Sequence, residues 1–200
     1  MKRLLFLFCL LNLACAFSVS AKDLVTDPGK LVQTTVLQVR ETVKSKKSAI
    51  PLEELDRLLE AQIRPVFSFN EMSKQSLGIH WTKGTSAEQD EFVNLFSNLL
   101  ARTYLAKIRD IDQTEMEMAS ESIDEEKAIV KTIATSKGED FSIDYRLRKE
   151  NGAWRVYDVI VENVSIISTY RSEFGEEIRK NQFSGLISKL RDKIEKKQTS

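Results

Sequence analysis

Near Asp112 the apolar residues of this chain stop recurring at spacings of three and four and begin to alternate, with no Pro/Gly/Ser-rich linker, low-complexity tract or repeat at the change. Two halves joined this directly must share one core. The pattern therefore predicts a single α+β domain in which N-terminal and C-terminal helices cover one face of a four-stranded antiparallel meander.

Upstream of the change, Asp27 and Pro28 are start signals for a helix carrying Val32, Val36, Val39 and Val43. A second helix follows Pro51 with Leu55, Leu58, Leu59 and Ile63 inward, and Pro65 stops it. Asn70 is placed to cap a short third helix ending near Gly78. Ser86 and Gln89 form a capping-box pattern ahead of Phe92, Leu95, Phe96, Leu99, Leu100 and Tyr104, the fourth helix.

Downstream, alternation marks four strands near residues 114–120, 127–136, 140–149 and 153–162. In the third, Phe141, Ile143, Tyr145 and Leu147 alternate with Ser142, Asp144, Arg146 and Arg148, one dry face against one wet face. Asn151-Gly152 is a two-residue hairpin turn into the fourth strand. There, simple alternation puts Trp154, Val156 and Ile160 on one side and Ala153, Tyr157, Val159 and Val161 on the other. Ser165 then caps a helix bearing Ile167, Tyr170, Phe174 and Ile178, and a second closing helix carries Phe183, Leu186, Ile187, Leu190 and Ile194 on one stripe.

The first 21 residues read as a cleaved export signal, with Lys2 and Arg3, an apolar run from Leu4 to Leu13 and a Val19-Ser20-Ala21 cleavage site. Residues 22–200 are then the expected domain, too poor in long apolar runs to span a bilayer. Both cysteines, Cys9 and Cys15, fall inside the signal, so the exported chain forms no disulfide and depends on packing. Removing Lys2 and Arg3 from 30 basic and 30 acidic residues leaves 28 against 30, a net charge near −2 that gives no support to nucleic-acid binding.

Chemistry is scarce. His80 is the single histidine, so a hydrolase reading rests on it and some serine, and a loop histidine is the plainer account. One His and no exported thiol leave no transition-metal set, no Asp/Glu spacing matches a calcium loop, and isolated glycines supply no phosphate loop. The acidic stretch from Asp110 to Glu126 reads as solvated surface. What remains is apolar surface on several helices and one sheet face, and periodicity alone does not separate a filled core from a hollow one.

Three separated blocks carry a family resemblance: FSFNEMSKQSLGIHW at Phe67 to Trp81, the F-x-x-x-F-x-x-L-L-x-x-x-Y helix at Phe92 to Tyr104, and WRVYDVIVENVSIISTYRSEF at Trp154 to Phe174. In these the chain resembles the MlaC family of periplasmic phospholipid-binding proteins, also called toluene-tolerance auxiliary transport proteins. Two positions depart from the family pattern: Ser68 stands where Asp is usual, and Asn163 where Gly is expected before Val164-Ser165.

The resemblance implies a non-enzymatic periplasmic carrier with no cofactor, whose cargo is a phospholipid held in an apolar cavity between sheet and helices. It also implies partners: an outer-membrane MlaA-like lipoprotein, and an inner-membrane MCE-type protein joined to an ABC transporter, together maintaining outer-membrane lipid asymmetry. Transferred by position, the lipid-contacting residues are Tyr104, Phe141, Ile143, Tyr145, Val159, Val161, Val164 and Ile167, with Arg171 a candidate for the head-group phosphate. A structural adaptor of a membrane transport complex that binds no lipid is the alternative.

Overall fold

The structure is a computed structural model that describes residues 27–196. The expected export signal, Cys9 and Cys15 lie outside the described residues.

Helix α1 spans Pro28–Lys46 and begins as expected, with the Asp27 carboxylate accepting from the Lys30 N–H at 2.8 Å. Helix α2, Leu52–Ile63, starts after Pro51 and tightens into a 3-10 turn at Arg64–Val66, where Pro65 ends it. Helix α3 is Phe69–Leu77, and its cap is Ser68 rather than Asn70: Ser68 Oγ accepts from the Glu71 N–H at 3.3 Å and donates to Glu150 Oε1 at 2.6 Å. A hydroxyl can accept from the helix and donate to a carboxylate at once, whereas an ionised Asp here would only accept. Glu150 therefore suits the serine at this position.

Helix α4, Ser86–Ile108, also begins one residue away from expectation. Thr85 and Glu88 make the capping box, their hydroxyl and carboxylate satisfying each other's backbone N–H, so Ser86 is already helical. The two closing helices form one span, α5 at Ile166–Lys196, interrupted at Gln182, whose φ of 60° breaks the helical ladder.

The sheet has five strands rather than four, in the order β1-β2-β3-β4-β5, all neighbours antiparallel. They are β1 Thr114–Asp124, β2 Lys127–Ser136, β3 Glu139–Glu150, β4 Ala153–Val161 and the short β5 Val164–Ser165. Three of the turns place both central residues at positive φ or carry glycine there: Lys137-Gly138, Asn151-Gly152 and Glu162-Asn163. That backbone matches the twist of the strands it joins. Asn163, at φ 64°, adopts the left-handed conformation for which glycine would otherwise serve. It lets the chain turn back for the extra two-residue strand that alternation alone does not reveal.

The expected faces of β4 need correction. Leu147 pairs with Val156 while Arg146 pairs with Asp158, so Tyr157 is an extra residue, a β-bulge. The bulge resets the alternation and brings Val156, Val159 and Val161 to one face with Leu147, Tyr145 and Ile143. Simple alternation had separated Val156 from Val159.

Three apolar clusters hold the domain together. One joins α3, α4 and α5 through Phe92, Phe96, Tyr170, Phe174 and Phe183, with Phe92 and Phe96 fully buried. Phe92 meets Phe174 edge-on, with ring centroids 5.4 Å apart. A second ties α1 to the sheet through Val32, Val130, Leu147, Trp154 and Val156. The third packs Val39 and Val43 of α1 on Leu55 and Leu59 of α2 and Leu105 of α4. The outer edge of β1 is acidic, with Glu115, Glu117 and Glu121 exposed, while the edge of β4 is covered by β5 at one end and by a bridge from Phe67 to Val156 at the other.

Candidate functional site

The pairing register arranges the inner sheet face in rows that run across the strands. Ala128, Leu147 and Val156 form one row, and Val130, Tyr145 and Val159 the next. Val32, Val66 and Phe67 pack on these two rows, and Val130 and Leu147 are fully buried. Farther along comes Val164–Val161–Ile143–Thr132–Met118, a row spanning all five strands, followed by Phe141–Ala134–Met116.

Exposure rises into the five-strand row and falls again in the last. Val161 is 37% exposed, Met118 42% and Val164 60%, while Phe141 and Ile143 are half-buried. In the same two rows Thr132 and Ala134 are buried, so small residues form the floor and larger ones the sides. Helices cover only part of the face: α1 lies over the buried rows, while α3 and α5 meet the sheet at Arg148, Tyr157 and Asp158, away from it. The result is an apolar trough with exposed side chains on both flanks, Met118 on β1 and Val161 and Val164 on β4 and β5.

The structure brings Phe141, Ile143, Tyr145, Val159, Val161 and Val164 together on this face. Tyr104 and Ile167 sit elsewhere, in or against the α3–α4–α5 cluster, Ile167 at 2% exposure. Burial, then the neighbouring Tyr170 and Glu173, hold the Tyr104 phenol above its usual pKa. Arg171 is exposed and bound to its own fold, donating from Nε to the Gln75 carbonyl at 2.6 Å and from Nη2 to Gln75 Oε1 at 3.1 Å. It ties α5 to the end of α3.

Sequence reasoning did not single out Met116, Met118, Thr132 and Ala134. The alternating burial of Ala128, Val130, Thr132 and Ala134 along β2 was legible as a strand pattern. What hid these residues was composition: small side chains and a threonine on β2, and two methionines among the glutamates of β1.

His80 and a polar recess lie outside the trough. His80, in the 3-10 segment Gly78–Lys83, has Nδ1 buried without a hydrogen-bond partner, and burial, then Lys83 and Arg179, lower its pKa. A polar recess of about 330 Å³, lined by Glu71, Gln75, Glu126, Lys127, Arg148 and Tyr157, is bridged by the 2.7 Å Arg148–Glu71 ion pair. Lys127 and Arg148 oppose each other on the face away from Leu147. Among the described residues no group of three or more His, Cys, Asp or Glu is placed to hold a metal ion, and no helix is long and apolar enough to cross a membrane.

Fold and site define a class: a one-sheet α+β domain whose sheet turns a partly uncovered apolar face toward flanking helices. The chain belongs to the MlaC family, described as MlaC protein, whose profile matches residues 33–192. Its fold is also that of a phospholipid-binding protein from Ralstonia solanacearum, solved in complex with a phospholipid. The two chains are alike at a TM-score of 0.78 and 24% sequence identity, over 85% of this chain and 98% of that one.

Proposed function

We propose that this protein is a non-enzymatic carrier that holds a phospholipid with its acyl chains against the open rows of the inner sheet face. The supporting observation is the row Val164–Val161–Ile143, apolar across three strands yet left partly uncovered. The Ralstonia solanacearum protein of like fold is a phospholipid-binding one, which favours the same class of ligand here. In this reading Phe141, Ile143, Tyr145, Val159, Val161 and Val164 touch the chains. Tyr104, Ile167 and Arg171, set among the helices, do not touch the chains in this reading, and Arg171 reaches a phosphate only by leaving Gln75.

The physical need for such a carrier is large. Desolvation of about 30 methylenes at about 0.8 kcal/mol each amounts to about 24 kcal/mol, which prevents a free lipid from crossing water at a useful rate. With residues 1–21 removed on export, residues 22–200 act as one domain in the periplasm, shuttling lipid between an outer-membrane MlaA-like lipoprotein and an inner-membrane MCE-protein/ABC transporter complex. No cofactor or catalytic residue takes part.

Native mass spectrometry of the protein recovered from its own periplasm tests the reading. A mass increment equal to a phospholipid is expected. A bare polypeptide mass, together with failure to extract phospholipid from vesicles, overturns it and leaves a lipid-free adaptor as the account.

A further inference from the structure

A polar group lies within the apolar trough. Tyr145 stands between Val130 and Val159, and its hydroxyl donates to the Met116 sulfur at 3.8 Å. Met116 opposes Ala134, four residues along β2 from the Val130 that opposes Tyr145, so the phenol runs diagonally over Thr132. A thioether is a weak acceptor, and tyrosine hydroxyls in apolar surroundings ordinarily find a better one. The nearby Thr132 hydroxyl donates to the Ile143 carbonyl at 2.7 Å rather than to the phenol. Burial raises the Tyr145 pKa, so the phenol carries its proton at neutral pH and is a donor.

The location of this donor matters as much as its weak partner. Toward Val130 and Leu147 the face is sealed, and toward Met118, Val161 and Val164 it opens to solvent. The Tyr145 hydroxyl, held on Met116 one row past Met118 and Val161, lies on the open side of this division. A diacyl lipid with its chains against the open rows and its phosphate in water has its ester groups on that side, and an ester carbonyl is a stronger acceptor than a thioether.

We propose that the Tyr145 hydroxyl is a specificity group that releases Met116 and donates to an acyl-ester carbonyl of the bound lipid, so that the protein prefers ester-linked to ether-linked glycerolipids. This rests on the carrier reading above. The bond sets the depth at which the chains sit and leaves the head group to solvent.

The test compares uptake by wild type and Tyr145→Phe from vesicles of diacyl phosphatidylglycerol and from vesicles of its dialkyl ether analogue, which keeps the phosphate and lacks the carbonyls. Wild type should favour the ester lipid by about 2- to 10-fold, the range for one neutral hydrogen bond. Tyr145→Phe should lose that preference and bind the ether lipid as wild type does. Met116→Leu removes the competing acceptor without touching the donor, so it should equal or exceed wild type on the ester lipid. It also keeps the test open if the Tyr145→Phe protein fails to fold.

A preference retained in Tyr145→Phe, or absent from wild type, overturns the proposal. Equal loss of both lipids in Tyr145→Phe also overturns it, because a phosphate contact or a packing role then accounts for the tyrosine. Uptake of neither lipid by wild type is a different result: it overturns the carrier reading, and this proposal with it.

Discussion

The carboxylate of Asp158 accepts a hydrogen bond from the Ser165 hydroxyl at 2.7 Å, tying β4 to the first turn of α5. Asp158 is 3% exposed and also accepts from the Ile167 N–H at 3.2 Å and from Arg146 Nη1 at 3.4 Å. Ser165 in turn caps α5 by accepting from the Ser168 N–H at 2.9 Å. The bulge at Tyr157 places Asp158 where it can do this, on the face opposite the trough. The helix start and the apolar wall thus share one anchor.

Asp158→Ala leaves the Ser165 hydroxyl and the Ile167 N–H without this acceptor and is expected to destabilise the domain by about 2–3 kcal/mol. Urea denaturation checks it through a lower midpoint at unchanged m-value. A loss below about 0.5 kcal/mol would show that the corner holds without the carboxylate.

Val164 is 60% exposed, so Val164→Asp should change stability by no more than about 0.5 kcal/mol. The same carboxylate beside acyl chains is expensive to desolvate, so co-purified lipid should be lost. Thermal melting and native mass spectrometry on one sample read both effects. Undiminished lipid in a folded variant removes Val164 from the binding surface.

Phe92 is fully buried and contacts Phe96, Phe174 and Phe183, so Phe92→Ala is expected to cost about 3–5 kcal/mol. Because Phe92 belongs to the helical cluster and not to the sheet face, whatever protein remains folded should still take up lipid. A vesicle extraction assay on the folded fraction decides the second point.

Burial raises the pKa of Tyr145 above its unfolded value near 10. A raised pKa means that the folded state holds the proton more tightly. Its contribution is therefore fully present below about pH 10 and declines as pH rises through the folded value. Wild type should lose stability between about pH 10 and pH 11.5 more steeply than Tyr145→Phe, as followed by thermal melting. Parallel pH profiles would refute the assignment.

Asn163 at φ 64° follows Glu162 at φ 48° in the turn between β4 and β5. Asn163→Val puts a β-branched residue into the left-handed region and should cost about 1–2 kcal/mol, whereas Asn163→Gly should lie within about 1 kcal/mol of wild type. Chemical denaturation of the two variants side by side checks the ordering.

Much of the secondary structure was legible because each signal is local. Asp27 with Pro28, Pro51, Pro65, Ser165 and Asn151-Gly152 mark their boundaries through their own backbone preferences. Caps were read less well where several candidates stand together. Thr85 displaced Ser86 because Glu88 is placed to reciprocate from the third helical position, and Ser68 displaced Asn70 because Glu150, 82 residues away, accepts its hydroxyl proton. Phe141, Ile143 and Tyr145 could be assigned to one face from their spacing of two, but Val156 and Val159 could not, since the extra residue between them shows only in the pairing with β3.

An α+β chain with an apolar side to its sheet follows from local pattern alone, because side-chain period and turn chemistry are properties of neighbouring residues. The tertiary structure decided which part of that apolar side is core and which is open. Val130 and Val161 are both valines facing the same way on alternating strands, yet one is fully buried and the other 37% exposed. The difference is that α1 packs over the first, while the second stands in the row left partly uncovered. Coverage depends on where a distant element comes to lie, and local pattern does not record it.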